Sequence, residues 1–188
     1  MYVSVIWYLL FCPMPIPERK ERNLKEKPSF EENIIKYQAT WFRIALGIVK
    51  RSADAEEIVC ESILKAYEKR ETLRKVSSFK SWMTSIVLHT AYDYVRKNQD
   101  AGYMVDEMWE GVFPSAEQEV MERESRNYIY NQVQKLEEPF RIVIILYYYE
   151  EFSTKEISEM LGISRGTVKS RLARGRGKLS DYLGKELI

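Results

Sequence analysis

Apolar residues recur at helical spacing along most of this chain. From Phe30 to Lys50, the residues Ile34, Ile35, Trp41, Phe42, Ile44, Ala45 and Ile48 mark one face of a first helix, with Gly47 a tolerated interruption. A second helix is predicted over residues 53–70, capped by Ser52 or Asp54, with Ile58, Val59, Ile63, Leu64 and Tyr67 turned inward. The period breaks over residues 71–77. It resumes to Asn98 behind Ser77 or Ser78 as cap, with Phe79, Trp82, Ile86, Val87, Tyr94 and Val95 as core positions. Residues 98–115 carry Gly, Pro and acids without helical period and read as a linker between two units. Ser115 then caps a long amphipathic segment that runs to Leu136, and Pro139 opens the apolar run Phe140 to Tyr149. That run has the composition of a buried strand. Helix is preferred, because Glu137 and Glu138 precede Pro139 as at a helix start, and no second strand exists to pair with it.

The last stretch, Glu151 to Leu183, reads as a helix-turn-helix with a basic extension. Ser153 or Thr154 caps a helix with Ile157, Met160 and Leu161 on one stripe, and Leu161-Gly162-Ile163 supplies the turn, since Gly accepts the backbone angles that stop a helix. Ser164 caps the second helix, whose inward positions are Val168 and Leu172. Thr167, Ser170, Arg171 and Arg174 point the other way, with Lys169 on the flank. Between Ser164 and Ser180 stand Arg165, Lys169, Arg171, Arg174, Arg176 and Lys178 and no acid, which suits phosphates and purine edges.

Charge changes the picture by its distribution rather than its sum. The 188 residues carry a formal net charge of only +1, which argues against a protein that coats nucleic acid everywhere. Acids gather from Asp54 to Glu61 and from Asp106 to Glu124, and bases from Arg165 to Lys178, so separate surfaces are set up for separate partners. Cys12 and Cys60 have neither pairing nor metal spacing, which fits a reduced, cytoplasmic setting. The apolar start is too short for a spanning helix and lacks the leading positive charge of a secretory signal. Residues 1–29 read as a lead-in, with those before Met14 a mis-set translation start or a minor appendage.

An enzyme is a poor reading. His89 is the only histidine and lies inside the third helix; no Gly-rich phosphate loop or metal-ligand cluster accompanies it, so neither metal nor cofactor nor small-molecule substrate is expected. Adjacent acids such as Glu56 and Glu57 diverge on a helix and make no acid/base pair. A stand-alone helix-turn-helix regulator is the stronger rival, and a module whose basic helix meets an acidic protein is a third.

Two blocks, in this order, decide among these readings. ADAEEIVCESILKAY followed by FKSWMTSIVLHTAYDYVRK is similar to region 2, and LEEPFRIVIILYYYEEFSTKEISEMLGISRGTVKSRLARGRGKL is similar to region 4, of bacterial sigma factors of the sigma-70 family. The chain thus resembles the extracytoplasmic-function (ECF) subfamily from about Ile34 to Leu183. The resemblance implies an all-α fold of two small helical domains joined by a flexible acidic linker: region 2 over 30–97, linker over 98–115, and region 4 with its helix-turn-helix over 116–188. It implies core RNA polymerase and promoter DNA as partners, with an anti-sigma factor, often membrane-bound, as a further one. Asp54, Glu56, Glu57 and Glu61 become polymerase contacts, although Cys60 stands where the family commonly has Gln. Lys80, Arg96 and Lys97, with a base-capturing loop over about residues 69–78, fall to the minus-10 element. Lys155, Arg165, Thr167, Lys169, Ser170, Arg171 and Arg174 fall to the minus-35 element. The linker acids from Asp100 to Glu110 would thread toward a nucleic-acid channel of the polymerase.

Overall fold

The computed structural model describes residues 29–73, 75, 78–98 and 128–186, with the backbone alone described beyond Leu183. Every regular element among them is helical. The N-terminal lead-in, the Ser115 cap and all of the linker beyond Asn98 lie outside the described residues.

Helix α1 (Phe30–Val49) begins at a capping box, in which the Glu32 amide donates to Ser29 Oγ at 3.1 Å and the Ser29 amide donates to Glu32 Oε2 at 3.1 Å. Lys50 ends it with a left-handed backbone, φ 62°. Helix α2 (Ser52–Glu68) follows at once. Neither residue expected to cap it does so. Arg51 holds the cap position without a side-chain bond, Ser52 is the first helical residue, and Asp54 is turned inward. A 3₁₀ turn (Arg70–Thr72) leads on toward α3 (Phe79–Asn98).

These three helices close on Trp41, Ile44, Ala45, Val49, Ala55, Ile58, Phe79, Met83, Val87 and Ala91, all buried. Leu64 and Tyr67, expected inside, are 50% and 53% exposed, and Ile35 is 52% exposed. The inward stripe of α2 is Ala55, Ile58, Val59, Ser62 and Ala66. At 3.6 residues per turn Leu64 projects roughly 175° from the centre of that stripe and Tyr67 roughly 125°. Small residues at Ala55, Ser62 and Ala66 let α2 lie close to its neighbours, and the Ser62 hydroxyl is satisfied by the Ile58 carbonyl at 2.6 Å.

In the C-terminal half, residues 128–134 form α4. Helix α5 (Glu138–Ile144) carries Pro139 in its first turn, where a missing amide costs nothing. The apolar run is indeed helical, and it widens into one π turn (Ile145–Tyr149) before the chain reverses. The widening turns Tyr147 and Tyr148 outward while Ile145 and Leu146 stay buried. Helices α6 (Thr154–Leu161) and α7 (Arg165–Glu186) complete the fold.

The two halves are docked. One continuous apolar core runs from Trp41 through Ile142, Ile145 and Leu146 to Val168 and Leu172. Helix α1 lies against α5 and the π turn, and α3 lies against α6.

Candidate nucleic-acid interface

The helix-turn-helix is built by local chemistry. Ser153 Oγ accepts from the Glu156 amide at 3.3 Å and the Glu156 carboxylate accepts from the Ser153 amide at 2.9 Å, a second capping box. Gly162 stops α6 at φ 64°, a left-handed angle that favours glycine. Ser164 Oγ accepts from the Thr167 amide at 3.0 Å and starts α7. Ile157, Met160, Val168 and Leu172 are buried between the two helices. Gly175 lets α7 approach α5, since a Cβ there would stand 3.1 Å from Ile144 Cγ1.

Away from that buried face of α7, Arg165, Lys169, Ser170 and Arg174 are exposed, with Ser170 and Arg174 on the side opposite Val168 and Leu172 and Arg165 and Lys169 on a flank. Thr167 is half-buried and shares its hydroxyl with Ser164 at 2.8 Å, while the Ser170 hydroxyl donates to the Thr167 carbonyl at 3.0 Å. Arg171 differs from its neighbours. It is the half-buried cation of this set, and it partly offsets the upward push that burial and Glu138 give the Tyr92 hydroxyl of α3. Lys155 is exposed on α6, in a loose pair with Glu159 at 4.0 Å. Beyond these residues, Arg176 donates to Tyr148 Oη at 3.3 Å, and Lys178 donates to Glu137 at 2.7 Å, a bond that raises its pKa.

The three basic residues singled out on α3 are not brought together. Lys80 lies in the first turn and Arg96 and Lys97 in the last, about 24 Å apart along the axis at 1.5 Å per residue. Arg96 pairs with Asp93 at 2.8 Å and Lys97 is exposed. Lys80 is engaged: Nζ donates to the Glu150 carbonyl at 2.7 Å, lies 3.5 Å from its carboxylate and sits over the Phe152 ring at 4.9 Å. Trp82 is half-buried, with its ring against Phe30 and Phe79 and its indole N–H donating to Thr72 Oγ1 at 3.3 Å. Of the loop preceding α3, residues 74, 76 and 77 lie outside the described residues.

On α2 the four acids separate. Asp54 is buried, accepts from Tyr94 Oη at 3.0 Å and pairs with Arg51 at 3.5 Å, so its carboxylate faces the bundle. Glu57 is exposed; Glu56 and Glu61 are half-exposed, the latter paired with Lys65 at 2.8 Å. Burial pushes the Cys60 thiol up, and Glu56 and Glu57 add to the shift. His89 is exposed, with Nδ1 2.6 Å from the Ser85 carbonyl. Among the described residues there is no cluster of His, Cys, Asp and Glu able to hold a metal, and no helix long and apolar enough to cross a membrane.

Three charged residues that matter were not found from the sequence. Arg141, a charge within the apolar run of α5, is buried; Nε donates to the Gly47 carbonyl at 2.6 Å, and Nη1 donates to the Leu136 carbonyl and to the Gln134 carbonyl at 3.4 Å. Glu150, with a side chain 2% exposed, holds Arg43 at 2.8 Å as well as Lys80. The signal for Arg141 was there, as an isolated cation amid Phe140, Ile142, Val143 and Ile144.

Residues 34–101 match the model of sigma-70 region 2, and residues 126–179 match that of sigma-70 region 4. A three-helix bundle followed by a helix-turn-helix, with these two matches, defines a two-domain transcription factor of the sigma type. The chain is 32% identical to RNA polymerase sigma factor SigV of Bacillus subtilis over 153 residues, which is 81% of this chain and 90% of that one. It is 28% identical to the ECF sigma factor SigW of the same organism over 171 residues, covering 84% of this chain and 90% of that one. The fold is shared with the sigma factor RpoE of Bartonella quintana, solved in complex with the anti-sigma factor NepR, at a TM-score of 0.67 and 22% identity over 82% of this chain and 96% of that one. The chain belongs to the sigma-70 family of RNA polymerase sigma factors, in its ECF subfamily.

Proposed function

We propose that this chain binds core RNA polymerase in the cytoplasm and directs promoter-specific initiation, with no chemistry of its own. The observation that carries the reading is the exposure of Arg165, Lys169, Ser170 and Arg174 on the second helix of a capped helix-turn-helix. Such a helix enters the major groove with side chains near its N-terminus toward base edges, and Arg is the usual reader of guanine. Arg174 and Lys169 read the minus-35 element, Ser170 and Thr167 support them, and Lys155 and Arg171 meet phosphate. The N-terminal domain, over about residues 30–97, contacts polymerase through Glu56, Glu57 and Glu61 of α2. It opens the minus-10 element with Arg96, Lys97 and a released Lys80 along the backbone. Unstacking a base costs a few kcal/mol, which contacts made on polymerase offset. The linker over 98–115 joins this domain to the region 4 domain of residues 116–188. An anti-sigma factor is the expected protein regulator.

The test is transcription in vitro with purified chain, bacterial core polymerase and a library of promoter fragments. Defined start sites that require the chain, sharing two sequence elements upstream, are the expected result. Tight binding of the chain alone to particular duplexes, with no transcripts, would instead identify a stand-alone regulator.

A further inference from the structure

The seam between the two halves holds a cavity of about 590 Å³, and no residue of its lining serves the DNA or polymerase contacts described above. Its apolar wall is Ile48 in the last turn of α1, Val95 of α3, and Leu136. The polar lining is lopsided. Lys50, Lys135 and Arg141 are its cations, and Glu137 and Glu138 its acids, beside the Tyr92 hydroxyl. Both acids are already engaged: Glu137 holds Lys178 of α7 at 2.7 Å, and Glu138 accepts from Tyr92 Oη at 2.5 Å. Two of the cations are not answered in this way. Arg141, only 3% exposed, uses Nε on the Gly47 carbonyl and Nη1 on the carbonyls of Leu136 and Gln134, so Nη2 has no partner among the described residues. Lys50 ends α1 with its left-handed backbone, is half-buried, and pairs with no acid among the described residues. Burial, and then the charge of Arg141, pull its pKa down. Two cations that repel each other at one cavity are stabilised by an anion placed between them.

We propose that this cavity binds a small apolar monocarboxylate, its carboxylate between Arg141 and Lys50 and its hydrocarbon body against Ile48, Val95 and Leu136. A concave site of this size, with an apolar wall and a few polar groups, has the usual form of a small-molecule site. The head is set by what remains free. With Nε and Nη1 engaged, Arg141 cannot grip an anion as a fork, but Nη2 and the Lys50 ammonium can each donate to one oxygen of a carboxylate. A phosphate monoester would bring a second negative charge, which Glu138 on the wall opposes. The site rests on its lining alone and does not depend on the sigma-factor reading.

The test is isothermal titration calorimetry on the full chain with octanoate, kept below its micellar range, against octanol and octyl phosphate of the same chain length. Saturable binding in one site per chain is expected, about tenfold tighter or better for octanoate than for either of the others. Hexanoate, two methylenes shorter, should bind about tenfold more weakly than octanoate. Lys50→Gln should weaken octanoate by about tenfold or more and leave octanol unchanged, while Lys50→Arg restores most of the affinity. Lys36→Gln, which removes an exposed cation of α1 outside the cavity, should change nothing. Val95→Glu places a negative charge on the apolar wall and should abolish uptake. Circular dichroism checks that each variant is folded, and octanoate should raise the Tm of the parent but not that of Lys50→Gln. A parent that takes up no octanoate, or binds it no better than octanol, would overturn the proposal. Octanoate affinity that survives both Lys50→Gln and Val95→Glu would do the same, and tighter binding of octyl phosphate would overturn the carboxylate head.

Discussion

Arg141→Met removes a guanidinium while keeping much of its volume, and its cost can be worked from the geometry. Three backbone carbonyls lose a charged donor: Gly47 at the end of α1, Leu136, and Gln134 at the end of α4, the last at the longer 3.4 Å. Each buried acceptor left unpaired costs about 1–3 kcal/mol. Relief from holding a charge indoors offsets part of this, since burial pulls the Arg141 pKa down and the nearby Glu138 only partly restores it. A net loss of about 3–4 kcal/mol is expected, or roughly 6–16 °C in Tm for a chain of this size. Because the Gly47 bond crosses the seam, melting should also separate into two transitions where the parent shows one. Arg141→Lys is expected to recover less than half, since one ammonium cannot fork between two helix ends. Scanning calorimetry and urea unfolding followed by circular dichroism measure both quantities. A loss below about 1 kcal/mol with a single transition would refute the reasoning, and Arg141 would then be a tolerated buried charge.

Arg174→Ala should weaken binding to the minus-35 element by about 1–3 kcal/mol and relax its sequence preference, measured by titrating promoter variants into the polymerase complex. An equal loss on all sequences would mark Arg174 as a phosphate contact. Asp54→Asn and Glu57→Gln should part company. The first lowers the stability of the N-terminal bundle by about 1–2 kcal/mol through its bonds to Tyr94 and Arg51, and the second leaves stability within ~0.5 kcal/mol but weakens polymerase binding. The hydroxyl of Tyr94 is pushed up to about 12 by burial and the Asp54 bond, and that of Tyr149 to about 12 by burial. Both fold better as neutral phenols, so their stabilisation is whole below the ordinary tyrosine value near ~10 and is lost as pH rises from there through the folded value. An ultraviolet titration should show these two as late-ionising tyrosines, and Tyr94→Phe should remove one of them.

What was legible in the sequence is what is decided locally. Ser153 with Glu156, Gly162, and Ser164 each act within a few residues, so the caps and turn of the helix-turn-helix could be placed, and with them the outward residues of α7. Apolar periodicity was less exact where residues are long and mixed in character. Leu64 and Tyr67 are apolar by type, yet α2 turns Ser62 and Ala66 inward instead, because a close helix pair is better served by small side chains. Gly47 read as an interruption, and its reason is a neighbour nearly a hundred positions away, Ile145. The seam could not be read at all. Glu150 and Arg43 are 107 residues apart in sequence, Arg141 and Gly47 are 94 apart, and no periodicity links such positions. Lys80 shows the consequence for function: the resemblance assigns it to the minus-10 element, and the fold pairs it with Glu150, which no local pattern signals.

The polar groups of the seam are arranged so that separation strands none of them. If the domains part, Glu150 moves from a buried site, and Lys80 from a half-buried one, to water, where each is well solvated, and Lys80 becomes free to meet phosphate. Arg141 loses the Gly47 carbonyl but keeps those of Gln134 and Leu136 within its own domain, so its charge is never left bare. The Gly47 carbonyl, at a helix end, is rehydrated. Mutation is different in kind, because it removes one partner and leaves the other indoors. The same contacts are therefore costly to delete and inexpensive to exchange for water. What resists opening is then mainly the apolar strip around Ile145 and Leu146, which region 4 loses from α1 on separation.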